Sequence, residues 1–122
     1  MIYEIGMLCK HFKGKDLIEK NIYRIEKIGV LGSEIDETNV TYTGENELKY
    51  AKNLVVYSNI FQDNKLFVRE YDDISSYLSE EKSALYNQKI KVQPLTLEEL
   101  DVVNDAKFIE EKKEYVIRKF QK

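Results

Sequence analysis

Residues 53–72, NLVVYSNIFQDNKLFVREYD, constrain the fold more than any other stretch of the chain. Leu54, Val55, Val56, Tyr57, Ile60 and Phe61 form one β-prone run, Leu66, Phe67, Val68 and Tyr71 form a second, and residues 62–65 between them are polar and turn-rich. The pattern predicts a β-hairpin. A lone hairpin is marginal in water, so the remaining chain has to lay further strands or a helix across its apolar face. Truncating Phe67 or Val56, both expected inside, should then cost about 2 to 5 kcal/mol through lost contacts and a residual cavity.

A length of 122 residues suits a single domain over residues 1–122 and is too short for two well-buried ones. Hydrophobic residues at 43% and charged residues at 34%, with isolated glycines and one proline, favour a folded chain over a disordered one. The formal charge of −3, with both signs interspersed, disfavours duplex nucleic acid as a partner. With one cysteine, Cys9, and one histidine, His11, the chain offers neither an internal disulfide nor a Cys/His zinc site. The acidic runs at residues 34–37, 72–73, 80–81, 98–99 and 110–111 fit no calcium-loop pattern and read as solvated surfaces, so no metal and no cofactor is expected. The absence of a basic leader and of a long apolar run leads us to expect a cytoplasmic protein without a membrane partner.

Along the chain, residues 5–12 predict a first strand ended by the Lys13-Gly14 turn signal, and residues 15–20 a surface turn or a single helical turn. Residues 21–30 alternate as a second strand, but Ile22, Arg24, Glu26 and Ile28 against Tyr23, Ile25 and Lys27 sort imperfectly between two faces. Residues 31–52 predict an elaborated connection with one extra strand near residues 40–43. Asp72-Asp73 are expected to cap a short helix carrying Ile74, Tyr77, Leu78 and Leu85, either as one irregular helix or as two separate turns. Residues 89–93 predict a strand ended by Pro94, and Thr96 with Glu99 has the spacing of a helix-starting capping box. A break near Asn104-Asp105 follows, and residues 115–117 read either as helix or as a closing strand. The expected fold is mainly β and α+β overall: a small, strongly bent antiparallel sheet closing into a barrel, which removes exposed strand edges, with a C-terminal helical extension.

Two blocks carry a family resemblance. Lys10-His11-Phe12-Lys13-Gly14 followed by Tyr23-Arg24-Ile25, then Leu54-Val55-Val56-Tyr57 leading through Phe61 and Asp63 to Phe67-Val68-Arg69, resembles the bacterial domain of unknown function 1653. The similarity covers residues 5–75 as a family-like β core and leaves residues 76–122 as an additional strand and helical extension. Phe67 stands where the family has Trp, Gln62 replaces its turn Gly, Glu70 replaces its Pro, and two connections are longer. The resemblance implies a small SH3-like barrel and no assigned activity.

His11, Lys13, Tyr57, Asp63, Phe67 and Arg69 match polar or aromatic positions of that pattern, near strand ends and turns. If they converge on one rim, Arg69 offers a planar fork for a carboxylate or phosphate, His11 and Lys13 add donors or charge, and Tyr57 and Phe67 form an aromatic wall. The bland alternative pairs Arg69 with Asp63 or Asp72 to pin the hairpin and makes Tyr57 an ordinary core residue. The favoured function is a non-catalytic binding module for a peptide, a protein or a small anionic ligand through an aromatic and basic rim. The competitor is an enzyme with His11 as acid or base and Arg69 as anion clamp, with a Cys9–His11 nucleophile pair as a weaker variant. Single-strand nucleic-acid binding through Lys10, Lys13, Arg24 and Arg69 is a third option, and a homodimer through residues 97–120 is a further possible association.

Overall fold

The computed structural model describes residues 2–120. Six strands form one mixed sheet: β1 (Leu8–His11), β2 (Ile22–Val30), β3 (Val40–Tyr42), β4 (Leu54–Asn59), β5 (Lys65–Glu70) and β6 (Val92–Pro94) lie side by side in the order β3-β5-β4-β2-β1-β6. Four α-helices complete the fold: α1 (Tyr71–Ile74), α2 (Glu80–Tyr86), α3 (Leu97–Val103) and α4 (Ala106–Phe120).

The predicted hairpin is present: β4 and β5 pair antiparallel from Leu54 opposite Glu70 to Asn59 opposite Lys65. Ile60 and Phe61 belong to the connection, where Asp63 (φ 50°) and Asn64 (φ 52°) occupy the left-handed region. Short amide and carboxylate side chains tolerate that region, so the turn forms without a glycine.

The barrel and the all-antiparallel sheet are not what the chain builds. The sheet is open and mixed: β3 pairs parallel to β5, and among the described residues neither β3 nor β6 gains a strand on its outer side. Residues 43–53 return the chain past the slot that β5 fills, so β3 and β4 flank β5 while running in opposite directions. The edges that closure would have removed are three residues long on each side, and β6 ends on Pro94, which has no N–H to offer a ladder.

β2 explains its own imperfect alternation. Its pairing with β4 shifts register between Ile25 and Lys27 and again between Ile28 and Val30. The first irregularity carries the inward face from Tyr23 and Ile25 to Ile28; the second, beside Gly29 at φ 70°, turns Val30 to the opposite face.

β4 is buried along its whole length because both faces are covered. On one face Tyr3, Cys9, Tyr23, Ile25, Val55, Tyr57, Ile74 and Val92 form a core; on the other Leu48, Ala51, Leu54, Val56 and Val68 form a second. The second core is closed by residues 31–52, where Gly32 donates its N–H to Ala51 O at 2.8 Å. A Cβ at Gly32 would lie 1.5 Å from Leu48 O, so no other residue fits this approach.

The capping box at Thr96 forms in full, with Glu99 N donating to Thr96 Oγ1 at 3.1 Å and Thr96 N donating to Glu99 Oε1 at 3.0 Å. The break follows as expected, with the Asp105 carboxylate accepting from Lys107 N and Phe108 N, and residues 115–117 are helical rather than a closing strand. The stretch after β5 resolves into two helical pieces, and α2 is capped by Ser79 rather than by Asp72-Asp73. α4 packs on the domain through Phe108 and through Lys112, which is only 2% exposed and donates to the carbonyls of Leu17, Ile18 and Lys20. Residues 15–20 make a single hydrogen-bonded turn, with Lys20 N donating to Asp16 O at 3.0 Å, and the Lys20 side chain is buried rather than on the surface. Among the described residues no helix is long and apolar enough to cross a membrane.

Candidate functional site

Strand alternation decides which side chains meet. Cys9 and His11 on β1, Tyr57 on β4, Phe67 and Arg69 on β5 all occupy odd positions, and the ladder places them on the face that carries the first core. β1 and β5 are separated by β2 and β4, about 14 Å across a flat sheet. His11 and Arg69 nonetheless line one cleft, and Asp73 and Ile74 of α1 line it with them.

The cleft has a volume of about 250 Å³ and is lined by His11, Lys13, Tyr57, Arg69 and Asp73, with Lys82 from α2 and Lys91 from the segment just before β6. Phe12, Ile74 and Val92 supply its apolar surface. Four cationic side chains from four separate segments thus face one carboxylate. Asp73 Oδ2 accepts from Arg69 Nη1 at 3.0 Å and Asp73 Oδ1 accepts from Lys91 Nζ at 2.7 Å. Arg69 pairs with Asp73, not with the Asp63 or Asp72 that hairpin pinning would have used. Burial alone would raise Asp73, but the hydrogen bonds and charges of Lys91 and Arg69 outweigh it and hold the carboxyl below its ordinary value.

His11 behaves in the opposite sense. Burial pulls its imidazole down to about 4, and the charges of Lys13, Arg69, Lys20 and Lys91 act in the same direction. The ring is neutral at pH 7. Its Nδ1 accepts the Lys13 backbone N–H at 3.3 Å, which leaves Nε2 as the protonated nitrogen and a hydrogen-bond donor. Tyr57 is nearly fully buried, and burial raises its phenol well above the ordinary value despite the nearby Arg69.

Behind the cleft lies a satisfied polar network. Lys20 Nζ donates to Phe12 O (2.8 Å), Tyr86 O (3.0 Å) and Gln88 Oε1 (3.2 Å), while Gln88 Nε2 donates to Lys10 O (3.0 Å), Ile90 O (2.8 Å) and Lys91 O (3.2 Å). These bonds tie the backbone of Phe12 to that of Lys91, so two walls of the cleft are fixed relative to each other.

Of the sequence-predicted residues, His11, Lys13, Tyr57 and Arg69 come together. Phe67 stands behind them, its ring stacked on Tyr57 at 5.8 Å with 15° between planes. Asp63 does not join: it sits in the hairpin turn, beside a separate groove that includes Phe61, Val116, Ile117 and Phe120. Asp73, Lys82 and Lys91 are contributors that the sequence reading missed. Arg69 and Asp73 are four residues apart, but the strand-to-helix junction between them hides the pairing, and nothing in the sequence brings Lys82 or Lys91 to β1.

The remaining candidates are dispersed. Cys9 shares the face of His11 as expected, yet it is fully buried and burial pushes its thiol up to about 12, which removes the nucleophile of a Cys–His pair. Lys10 is buried and bound to Glu99 at 2.6 Å, and Arg24 is exposed on the opposite face, so the basic residues considered for single-strand binding form no common track. In comparisons with known proteins the chain matches no family model, no curated protein and no solved structure.

Proposed function

We propose that this domain is a non-catalytic binding module for a small, multiply charged anion, held in the cleft between β1, β5 and α2. The convergence of His11, Lys13, Tyr57 and Arg69 with Lys82 and Lys91 supports this reading. A single carboxylate would need one such cation; four around one acid suit a ligand with several anionic oxygens. About 250 Å³ is below the usual span of roughly 300–1,000 Å³ for drug-sized ligands, which favours a compact anion over a peptide or protein surface. The resemblance of residues 5–75 to the domain of unknown function 1653 belongs to this proposal and adds no activity to it, and a cytoplasmic setting is the compartment proposed with it.

Calorimetric titration with pyrophosphate in low-salt chloride buffer tests the reading. Binding should weaken as ionic strength rises, and Arg69→Met or Lys91→Met should reduce affinity by about ten- to a hundred-fold, the worth of one charge-assisted hydrogen bond. Absence of binding, or equal affinity in these variants, overturns it.

The enzymatic reading has one observation in its favour: His11 and Arg69 line the same cleft. It asks His11 to accept a proton at neutral pH, and an imidazole near 4 is a weak base there. A turnover lost in His11→Gln while pyrophosphate binding persists would favour the enzyme over the binding module.

A further inference from the structure

A site built only to attract anions has no use for a carboxylate at its centre. Asp73 is held there by two cleft cations, each of which takes one carboxylate oxygen: Lys91 at Oδ1 and Arg69 at Oδ2. An ionised carboxylate has about four acceptor positions, so roughly one on each oxygen is still open. The Asp73 side chain is 33% exposed, and it lines this cleft as well as a neighbouring groove shared with Arg69, Glu70 and residues 43–46. An anionic oxygen arriving beside it is repelled; a hydroxyl arriving there donates a hydrogen bond.

Nε2 of His11 supplies the complementary requirement. With Nδ1 engaged by the Lys13 backbone, Nε2–H is the donor that the ring can offer, on a residue that lines the cleft together with Lys13, Arg69, Lys82 and Lys91. The polar side chains of the cleft therefore include five donor groups and a single carboxylate, set beside the apolar surface of Phe12, Ile74 and Val92.

We propose that Asp73 makes this cleft selective for an oxyanion that still carries an O–H group, such as hydrogen phosphate, over a fully deprotonated oxyanion of the same shape, such as sulfate. The inference rests on the anion-binding reading above and adds the feature by which one anion is chosen. Charge alone predicts the reverse or no preference, since sulfate is a full dianion and phosphate near neutral pH is partly a monoanion. Discrimination comes instead from the repulsive element: sulfate has no hydrogen to place against Asp73, whereas both protonation states of phosphate near neutrality do.

The test titrates wild-type protein and Asp73→Asn with inorganic phosphate and with sulfate, in chloride buffer near neutral pH, with pyrophosphate binding as the positive control. Wild type should bind phosphate about ten-fold or more tightly than sulfate, the size of one charge-assisted hydrogen bond gained against one repulsion. In Asp73→Asn the ratio should fall towards one, chiefly because sulfate binds better. A wild-type ratio near one with pyrophosphate still bound overturns the selectivity and spares the anion site. An unchanged ratio in Asp73→Asn overturns the role of Asp73. If no anion binds, both fall together. The wild-type ratio needs no variant to fold, and a thermal melt establishes that Asp73→Asn is folded.

Discussion

The lone histidine offers a perturbation whose size follows from its surroundings. Its ordinary value is 6.5, and burial beside Lys13, Arg69, Lys20 and Lys91 brings the folded value to about 4. Between those values the unfolded chain binds a proton that the folded one refuses. The stability contributed by a neutral folded His11 is therefore complete above about pH 6.5 and is lost as pH falls towards about 4. Going from about pH 7.5 to about pH 4.5, the loss amounts to about 2 to 3 kcal/mol, at roughly 1.4 kcal/mol per pKa unit. Urea denaturation of wild type and His11→Gln at both pH values isolates it. Asp73 and Glu99, whose carboxyls are also held below their ordinary values, lose their stabilisation in both proteins and cancel in the difference. The wild type should lose about 2 to 3 kcal/mol more than the variant. Equal acid sensitivity in the two proteins would refute the placement of His11 in a half-buried, cation-lined wall.

Other consequences concern the frame that holds the cleft. Val56→Ala, in the core on the far side of the sheet, should cost about 2 kcal/mol in chemical denaturation, at the lower end of the range expected from the hairpin alone, because only two methyl groups are removed. Lys112→Met keeps an unbranched apolar stem but leaves the carbonyls of Leu17, Ile18 and Lys20 without their ammonium, and should cost about 3 kcal/mol with faster hydrogen exchange across residues 16–20. Thr96→Ala breaks one half of the capping box and should lower stability by about 1 kcal/mol, read as a shift in the urea midpoint.

Much of the local structure was legible because each element advertised itself within a few residues. The apolar runs flanking residues 62–65 gave the hairpin, Thr96 with Glu99 gave the start of α3, and Asn104-Asp105 gave the break before α4. What misled was inference from local to global. Short strands with exposed edges suggested closure, but two edge strands of three residues each, one of them ending in Pro94, are protected without it. The parallel pairing of β3 with β5 depends on where residues 43–53 carry the chain, which no strand pattern specifies. The irregular alternation of residues 22–30 was visible, and two register shifts in the pairing with β4 account for it. The cleft was half legible for a related reason. His11, Lys13, Tyr57 and Arg69 lie on or beside predicted strands, so parity could group them. Asp73, Lys82 and Lys91 reach the cleft from α1, α2 and the segment before β6, and burial of Lys20 and Gln88 behind it follows only from the packed fold.

The central claim is that a small anion sits among His11, Lys13, Arg69, Lys82 and Lys91. The imidazole C2–H proton resonance of the single histidine, followed through a pH titration with and without saturating pyrophosphate, tests it most directly. The account predicts a midpoint near 4 in the free protein and an upward displacement when the anion is present, because added negative charge favours the imidazolium. A midpoint that stays the same with pyrophosphate, or that already lies at the ordinary histidine value in the free protein, would contradict it.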